Sequence, residues 1–201
     1  MRIAITPEDY DDGTYATKSL DEKIDYYDKQ VLGWQFSPAQ TLINRETDQQ
    51  DVQPSFAILH IITSYFESVA KFQEGYEGKG ESKDHFRLGF ISVFHNELNT
   101  VPASELNDVL SDLYYKVRCG LYHSAQTGRG VIVTYDIAEA VQVTGKAGSW
   151  TLYLNPKEML PVMKAHHANY ITTLKDSSQI KCAPISNDGL IGWLHNSRNV
   201  W

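Results

Sequence analysis

The chain has 201 residues, of which 42% are hydrophobic and 21% are charged, and its formal net charge is −7. This length and composition suit one globular domain and exclude a disordered or collagen-like chain. We therefore predict a single domain over residues 1–201. The acidic balance argues against a protein that coats nucleic acid generally, because phosphate binding needs an excess of cations.

Export and membrane signals are not evident in the sequence. The longest apolar stretch, residues 56–62, is interrupted by His60 and is too short to span a bilayer. The first residues contain no apolar run after a basic start, so no secretory signal is expected. Cys119 and Cys182 lack CxxC spacing, which disfavours a disulfide framework or a cysteine zinc site. We expect a cytoplasmic protein with no membrane partner, no metal and no cofactor.

The N-terminal quarter predicts a polar arm and then a helix. Residues 1–17 are polar and predict a loop or a loosely docked arm. Ser19 and Glu22 have the spacing of a capping box, in which each side chain satisfies a free backbone donor of the other. Residues 35–52 are polar and show no clear period. The apolar face of the predicted helix consists of Leu20, Ile24, Tyr27 and Val31.

Three more helices follow in the pattern. Pro54 suits the first turn of a long helix that is apolar around most of its girth, which is typical of a central bundle helix. The glycine-rich segment 75–80 ends it. Ser82 is expected to cap a third helix and Ser104 a fourth. The apolar stripe of the fourth helix consists of Leu106, Leu110, Leu113, Val117 and Leu121.

Residues 131–154 predict a small β-hairpin insertion after the fourth helix. Residues 131–135 are β-branched and aromatic, which is typical of a strand. Residues 140–144 and 149–154 flank the four residues from Gly145 to Gly148, which predict a four-residue turn.

A last helix and a polar C-terminal tail, residues 177–201, complete the chain. Asn155, Pro156 and Glu158 fit the cap, first and third positions of that helix, although Pro161 leaves open a later start. The predicted fold class is therefore mainly α, a bundle of about four to six helices with the hairpin as an insertion.

The segment between Leu113 and Tyr135 contains no Asp or Glu. An acidic chain with one acid-free basic segment can hold a local anion site. Chance depletion in a half-buried helix and a strand is the alternative explanation. The cationic or titratable residues of the segment are Lys116, Arg118, His123 and Arg129.

Arg118 and His123 lie near a predicted helix end with four residues between them. This arrangement resembles the signature of the HEPN superfamily, in which an Arg and a His are separated by four to six residues late in a helical bundle. The recognisable part is residues 106–126. The resemblance implies a metal-independent endoribonuclease that works as a homodimer, with Arg118 and His123 of both copies lining one cleft.

The chemistry of RNA cleavage explains these two residue types. Attack by a ribose 2′-hydroxyl needs a proton acceptor and a donor for the leaving 5′-oxygen, and the pKa of His lies near neutral. A guanidinium binds the phosphoryl oxygens with bidentate hydrogen bonds and a permanent charge. Arg118 and His123 are therefore the candidate catalytic residues. The candidate substrate-binding residues around them are Lys116, Cys119, Tyr122 and Arg129.

Helix geometry favours a composite site at a dimer interface. On a straight α-helix, residues five positions apart point about 140° away from each other. Arg118 of one copy would therefore meet His123 of the other, and Gly120 would allow the close approach. Many active HEPN ribonucleases have a polar residue directly after the Arg, where this chain has Cys119.

Three functions stay open at this point. The first is the HEPN endoribonuclease, as a toxin or defence effector with a neutralising protein partner. The second is a catalytically silent HEPN-like module that binds RNA, nucleotide or a protein partner, which Cys119 favours. The third is a purely structural helical dimer. The remaining histidines are interpreted as structural or surface residues, and adjacent His166 and His167 face different ways and cannot chelate one metal well.

Overall fold

The computed structural model describes residues 3–4, 6–7, 10–11, 17–45, 53–75, 80–146 and 148–176. It is mainly helical with a small three-stranded sheet, which confirms the predicted fold class. The predicted C-terminal tail, residues 177–201, and much of the predicted N-terminal arm lie outside the described residues. No helix in the described ranges is long and apolar enough to cross a membrane.

The described part of the N-terminal arm contains two short strands. β1 (Ile3–Ala4) pairs antiparallel with β2 (Tyr10–Asp11). Thr6 is buried, and a Cβ placed on Gly33 would overlap the ring of Pro7. The arm is therefore docked on the helix that follows it, more closely than its polar sequence predicts.

α1 (Leu20–Val31) begins at the predicted capping box. The Ser19 hydroxyl accepts from the backbone N–H of Glu22 at 3.3 Å, and the Glu22 carboxylate accepts from the Ser19 N–H at 2.8 Å. A π-helical segment (Leu32–Phe36) continues α1 into α2 (Ser37–Arg45). The sequence pattern did not predict α2. Because of the π turn, the buried residues Val31 and Phe36 are five positions apart, whereas an α-helix repeats its buried face every three or four residues.

α3 (Gln53–Glu74) and α4 (Ser82–Phe94) form the centre of the bundle. Pro54 lies in the first turn of α3, as predicted. The two helices approach so closely at Gly89 that a Cβ there would overlap the Phe66 carbonyl. The prediction that Ser82 caps α4 is wrong: Glu81 occupies the cap position, because the Ser82 hydroxyl donates instead to Glu67 at 2.7 Å.

The helix that carries the motif is continuous over residues 106–124 and is called the motif helix below. It consists of α5 (Leu106–Asp112), a π-helical segment (Leu113–Cys119) and α6 (Gly120–Ser124). Glu105, not the predicted Ser104, stands at its cap position. The predicted apolar stripe packs into the core, with only its first residue, Leu106, partly exposed.

The insertion is a three-stranded sheet in the order β3–β5–β4. β4 (Val141–Lys146) and β5 (Ser149–Leu154) form the predicted hairpin, and β3 (Val131–Val133) adds to β5 in parallel. Pairing continues to Lys146 opposite Ser149, so the turn has two residues and the predicted four-residue turn is wrong. Gly145 lies in the strand at φ +110°, where a Cβ would overlap the Ser149 carbonyl.

α7 (Pro156–Lys175) packs back across the bundle against α1 and α3. Asn155 caps it by accepting from the backbone N–H groups of Lys157 and Glu158, as predicted. The alternative start at Pro161 is wrong, because the helix runs through that residue. His167 is buried and meets Asp28 at 2.9 Å, whereas His166 meets the Tyr65 hydroxyl at 2.9 Å.

Candidate functional site

Arg118 reaches from the motif helix to the centre of α3. Its Nη2 donates to the Glu67 carboxylate at 3.2 Å, although the two residues are 51 positions apart in the chain. The guanidinium carbon lies 4.5 Å from the centroid of the Tyr122 ring. Arg118 belongs to the π-helical segment, so the angle calculated for a straight α-helix does not apply to it. Such single π turns are frequent at functional sites.

Glu67 is the polar centre of this region. Its Oε1 accepts from Lys71 at 2.9 Å and from Ser82 at 2.7 Å, while its Oε2 accepts from Arg118. Burial by itself would raise the pKa of the Glu67 carboxyl, but hydrogen bonds from Lys71 and Ser82 and the charges of Lys71 and Arg118 hold it below its ordinary value. Glu67 is therefore ionised at neutral pH and ties three helices together.

Arg118 is likewise charged at neutral pH. Burial would lower the pKa of its guanidinium, but the neighbouring carboxylate of Glu67 outweighs burial and raises the pKa. The segment between Leu113 and Tyr135 contains no acidic residue, but acidic residues outside it contact its cations. Glu67 neutralises Arg118, and Asp112 accepts from Lys116 at 2.6 Å.

Tyr122 links the motif helix to a histidine that the sequence motif does not contain. Its ring stacks on the imidazole of His60, with centroids 4.6 Å apart and planes 23° apart. Tyr122 is 47% exposed, and His60 is exposed as well. No sequence pattern singled out His60, because it lies on α3, far from the motif in the chain.

A groove between α3 and the motif helix joins these residues. It has a volume of about 290 Å³. Its lining consists of Ser64, Glu67, Ser68, Lys71, Arg118 and Tyr122. The hydroxyls of Ser64 and Ser68 donate to backbone carbonyls of their own helix, so their oxygens remain acceptors. The groove thus combines two cations, one carboxylate, hydroxyl acceptors and an aromatic wall.

His123 occupies the last turn of α6 and is exposed. It does not line the groove, and within the described ranges no hydrogen bond or ion pair engages its side chain. Ala125 then ends the helix in a left-handed conformation at φ +53°, with its N–H bonded to Gly120 and Leu121. Within one copy, Glu67 and Tyr122 hold Arg118 while His123 stays open to solvent.

The other predicted substrate-binding residues lie outside the groove. Lys116 pairs with Asp112, and Arg129 is exposed in the loop before β3. Cys119 is half-buried and lies near Tyr114. Burial, with the neighbouring Cys119, raises the pKa of the Tyr114 phenol. Of the residues proposed from sequence, only Arg118 and Tyr122 meet at the groove.

Gly120 permits a close approach within the chain. A Cβ at Gly120 would lie 2.6 Å from the Gln126 carbonyl oxygen. The loop returns over the helix here, and the Gly128 N–H donates to the Lys116 carbonyl at 2.7 Å. Within one chain, Gly120 is thus needed to accommodate the returning loop, and its role in an approach between two copies stays a prediction.

No protein-family model, curated protein or solved structure matches this chain. Among the described residues, no group of three or more His, Cys, Asp or Glu side chains could hold a metal ion. The candidate functional site therefore consists of Arg118, its partners Glu67 and Tyr122, and the groove beside them.

Proposed function

We propose that this chain is an HEPN-like, metal-independent endoribonuclease that acts as a homodimer through Arg118 and His123. The observation that carries the proposal is the fixed guanidinium of Arg118 on the groove wall, just over one helical turn from a histidine that is open to solvent. A phosphate binder on the groove wall and an exposed proton carrier at the same helix end suit cleavage of a phosphodiester where two such helix ends meet.

The reaction assigns a separate task to each side chain. An imidazole of His123 takes the proton of the ribose 2′-hydroxyl as its oxygen attacks phosphorus, and a protonated imidazole gives a proton to the leaving 5′-oxygen. Glu67 occupies one N–H donor of Arg118, and a guanidinium has others to give to the phosphoryl oxygens. The products are a 2′,3′-cyclic phosphate and a 5′-hydroxyl.

A second copy completes the proposed site. His123 does not line the groove of its own chain, so the histidine that works with Arg118 is supplied by the partner. Two motif helices packed about a twofold axis would place both pairs in one cleft. As a toxin or defence effector, such an enzyme would require a neutralising protein partner in the cell that makes it.

The catalytically silent module is a second candidate, and one observation favours it. Glu67 already neutralises Arg118. Cys119 lies near Tyr114 and occupies the position at which many active HEPN ribonucleases have a polar side chain. A site of this kind would bind RNA, nucleotide or a protein partner without cleaving anything. The two candidates differ in whether His123 affects a reaction.

A ribonuclease assay in the presence of EDTA separates these candidates. We expect the wild-type chain to cleave RNA and His123→Ala to lose about 10²–10⁴-fold in rate, as is typical when a general acid–base is removed. His95→Ala, an exposed histidine at the end of α4, is the matched control and should cleave normally. Failure of the wild type to cleave, or equal cleavage by His123→Ala, would overturn the enzyme proposal.

A mixing experiment tests the composite site directly. Arg118→Gln and His123→Ala chains are each inactive alone, but a heterodimer of the two retains one intact Arg and one intact His on opposite copies. We expect activity to return on mixing if the site spans two chains. No recovery from a mixture that light scattering shows to be dimeric would place the site within one chain.

A further inference from the structure

We propose that His60 and Tyr122 form a stacking ledge that holds an unpaired base of single-stranded RNA next to the phosphate at Arg118. The inference rests on the proposed function and names the substrate class of the same site. The term stacking ledge is used below for these two rings alone. His60 thereby becomes a substrate-binding residue, although nothing in the motif assigns it.

The ledge is exposed yet fixed. Both rings are open to solvent, and each is anchored on a helix of the bundle, His60 on α3 and Tyr122 on the motif helix. The two rings stack face to face, with centroids 4.6 Å and planes 23° apart, so each covers one face of the other. Arg118 also lies over the Tyr122 ring, so the face that the pair offers to a base is the outer face of His60. A nucleobase stacks on such a surface without regard to its identity, because every base has a π face.

The charges beside the ledge suit a nucleic-acid backbone. Arg118 lies over the Tyr122 ring, and Lys71 lines the same groove. Against these two cations stands one carboxylate, Glu67, so the groove has a positive balance within a chain whose net charge is −7. A phosphate at Arg118 thus leaves its neighbouring base within reach of the ledge.

The groove also offers groups that suit RNA. The Ser64 and Ser68 oxygens accept hydrogen bonds, because their own hydrogens are donated to backbone carbonyls. A ribose 2′-hydroxyl or an exocyclic amino group can donate to them. A base inside a duplex is covered on both faces, so only an unpaired base can use the ledge.

Binding measurements test the ledge independently of cleavage. The His123→Ala chain keeps the RNA intact, and its affinity for a short fluorescent single-stranded RNA is measured by anisotropy. In that background we expect His60→Leu to weaken binding by about 5- to 150-fold, the range for loss of one stacked base. Tyr122→Leu removes the ring on which His60 stacks and should weaken binding in the same direction. Tyr115→Leu is the matched control, because Tyr115 is 58% exposed on the same helix but contacts Lys83 of α4.

Changes in the RNA ligand provide a second test of the ledge. A single abasic nucleotide at the stacked position should weaken binding to the His123→Ala chain but not weaken binding to the Tyr122→Leu chain further. A duplex of the same sequence should bind more weakly than the single strand. His60→Leu gives the same readout should Tyr122→Leu fail to fold, which a thermal melt detects.

The outcomes separate this inference from the enzyme proposal. Weaker binding by the ledge variants supports the ledge even if the wild-type chain never cleaves RNA. Tight binding by both ledge variants, or equal affinity for duplex and single strand, overturns the ledge even if cleavage is observed. A mononucleotide that competes as well as the oligomer would also overturn single-stranded RNA as the substrate class.

Discussion

The guanidinium of Arg118 donates to the carboxylate of Glu67 at 3.2 Å, and this contact fastens the motif helix to α3. Glu67 accepts from Lys71 and Ser82 at the same time, so α4 joins the same cluster. Arg118 is therefore held in one orientation before any ligand arrives. A preoriented guanidinium loses less conformational entropy when it binds a phosphate.

Glu67→Gln is predicted to change binding and cleavage in opposite directions. Removal of a negative charge beside Arg118 should tighten RNA binding, while the freed guanidinium should lower the cleavage rate. The free energy of unfolding should fall by about 1–2 kcal/mol, between the values for exposed and buried ion pairs. Anisotropy, a cleavage assay and urea denaturation measure the three effects. Glu139→Gln makes the same charge change at an exposed position outside the groove, and an equal gain in affinity there would contradict the prediction.

Arg118→Lys is predicted to impair cleavage although it keeps the charge. A lysine can reach Glu67 or lie over Tyr122, but it lacks the planar fork that binds a phosphate with two hydrogen bonds. We expect the rate to fall by about tenfold or more, equivalent to ~1.4 kcal/mol of transition-state stabilisation. The salt dependence of RNA binding should stay unchanged for Arg118→Lys and become shallower for Arg118→Gln. Full activity of Arg118→Lys would show that only the charge matters.

Gly120→Ala is predicted to destabilise the protein, contrary to the usual effect of this change within a helix. Alanine normally stabilises a helix interior by roughly 0.5–1 kcal/mol relative to glycine. At Gly120 the added Cβ would lie 2.6 Å from the Gln126 carbonyl, so the returning loop must move. We expect a net loss of about 1–3 kcal/mol in urea denaturation. Ser124→Ala, on the same short helix, is the control, and a stabilised Gly120→Ala chain would refute the packing argument.

His166 is predicted to make the fold sensitive to mild acid. Burial, together with the neighbouring His167, lowers the pKa of His166 to about 4. Over this range the unfolded chain therefore binds a proton that the folded chain does not. The free energy of unfolding declines as the pH falls from about 6.5 towards 4. The decline attributable to this residue should be on the order of 3 kcal/mol.

Denaturation at several pH values tests this dependence. His166→Gln keeps a hydrogen-bonding group for Tyr65 but cannot titrate, so its stability should vary less over that range. Identical profiles for wild type and His166→Gln would exclude His166 as the cause.

Sequence patterns correctly predicted the elements whose signals are local. The capping box of Ser19 and Glu22 and the Asn155 cap lie within three or four residues of the groups they satisfy. The apolar stripe of the motif helix is a periodic property of one segment, and it placed Arg118 and His123 near a helix end. Local hydrogen bonds and a helical period are readable because a few neighbouring residues specify them.

The residues that surround Arg118 are brought there by tertiary packing. Glu67 and His60 lie on α3, and no spacing in the sequence relates them to the motif. The two π-helical segments were also not predicted from the sequence. Each inserts a residue that shifts the helical phase, and tertiary packing decides where such a shift is tolerated. The sequence thus identified a cation and a histidine, whereas packing of distant helices set the partner carboxylate, the stacked ring and the groove. Contacts of this kind depend on how whole helices pack, which no local pattern encodes.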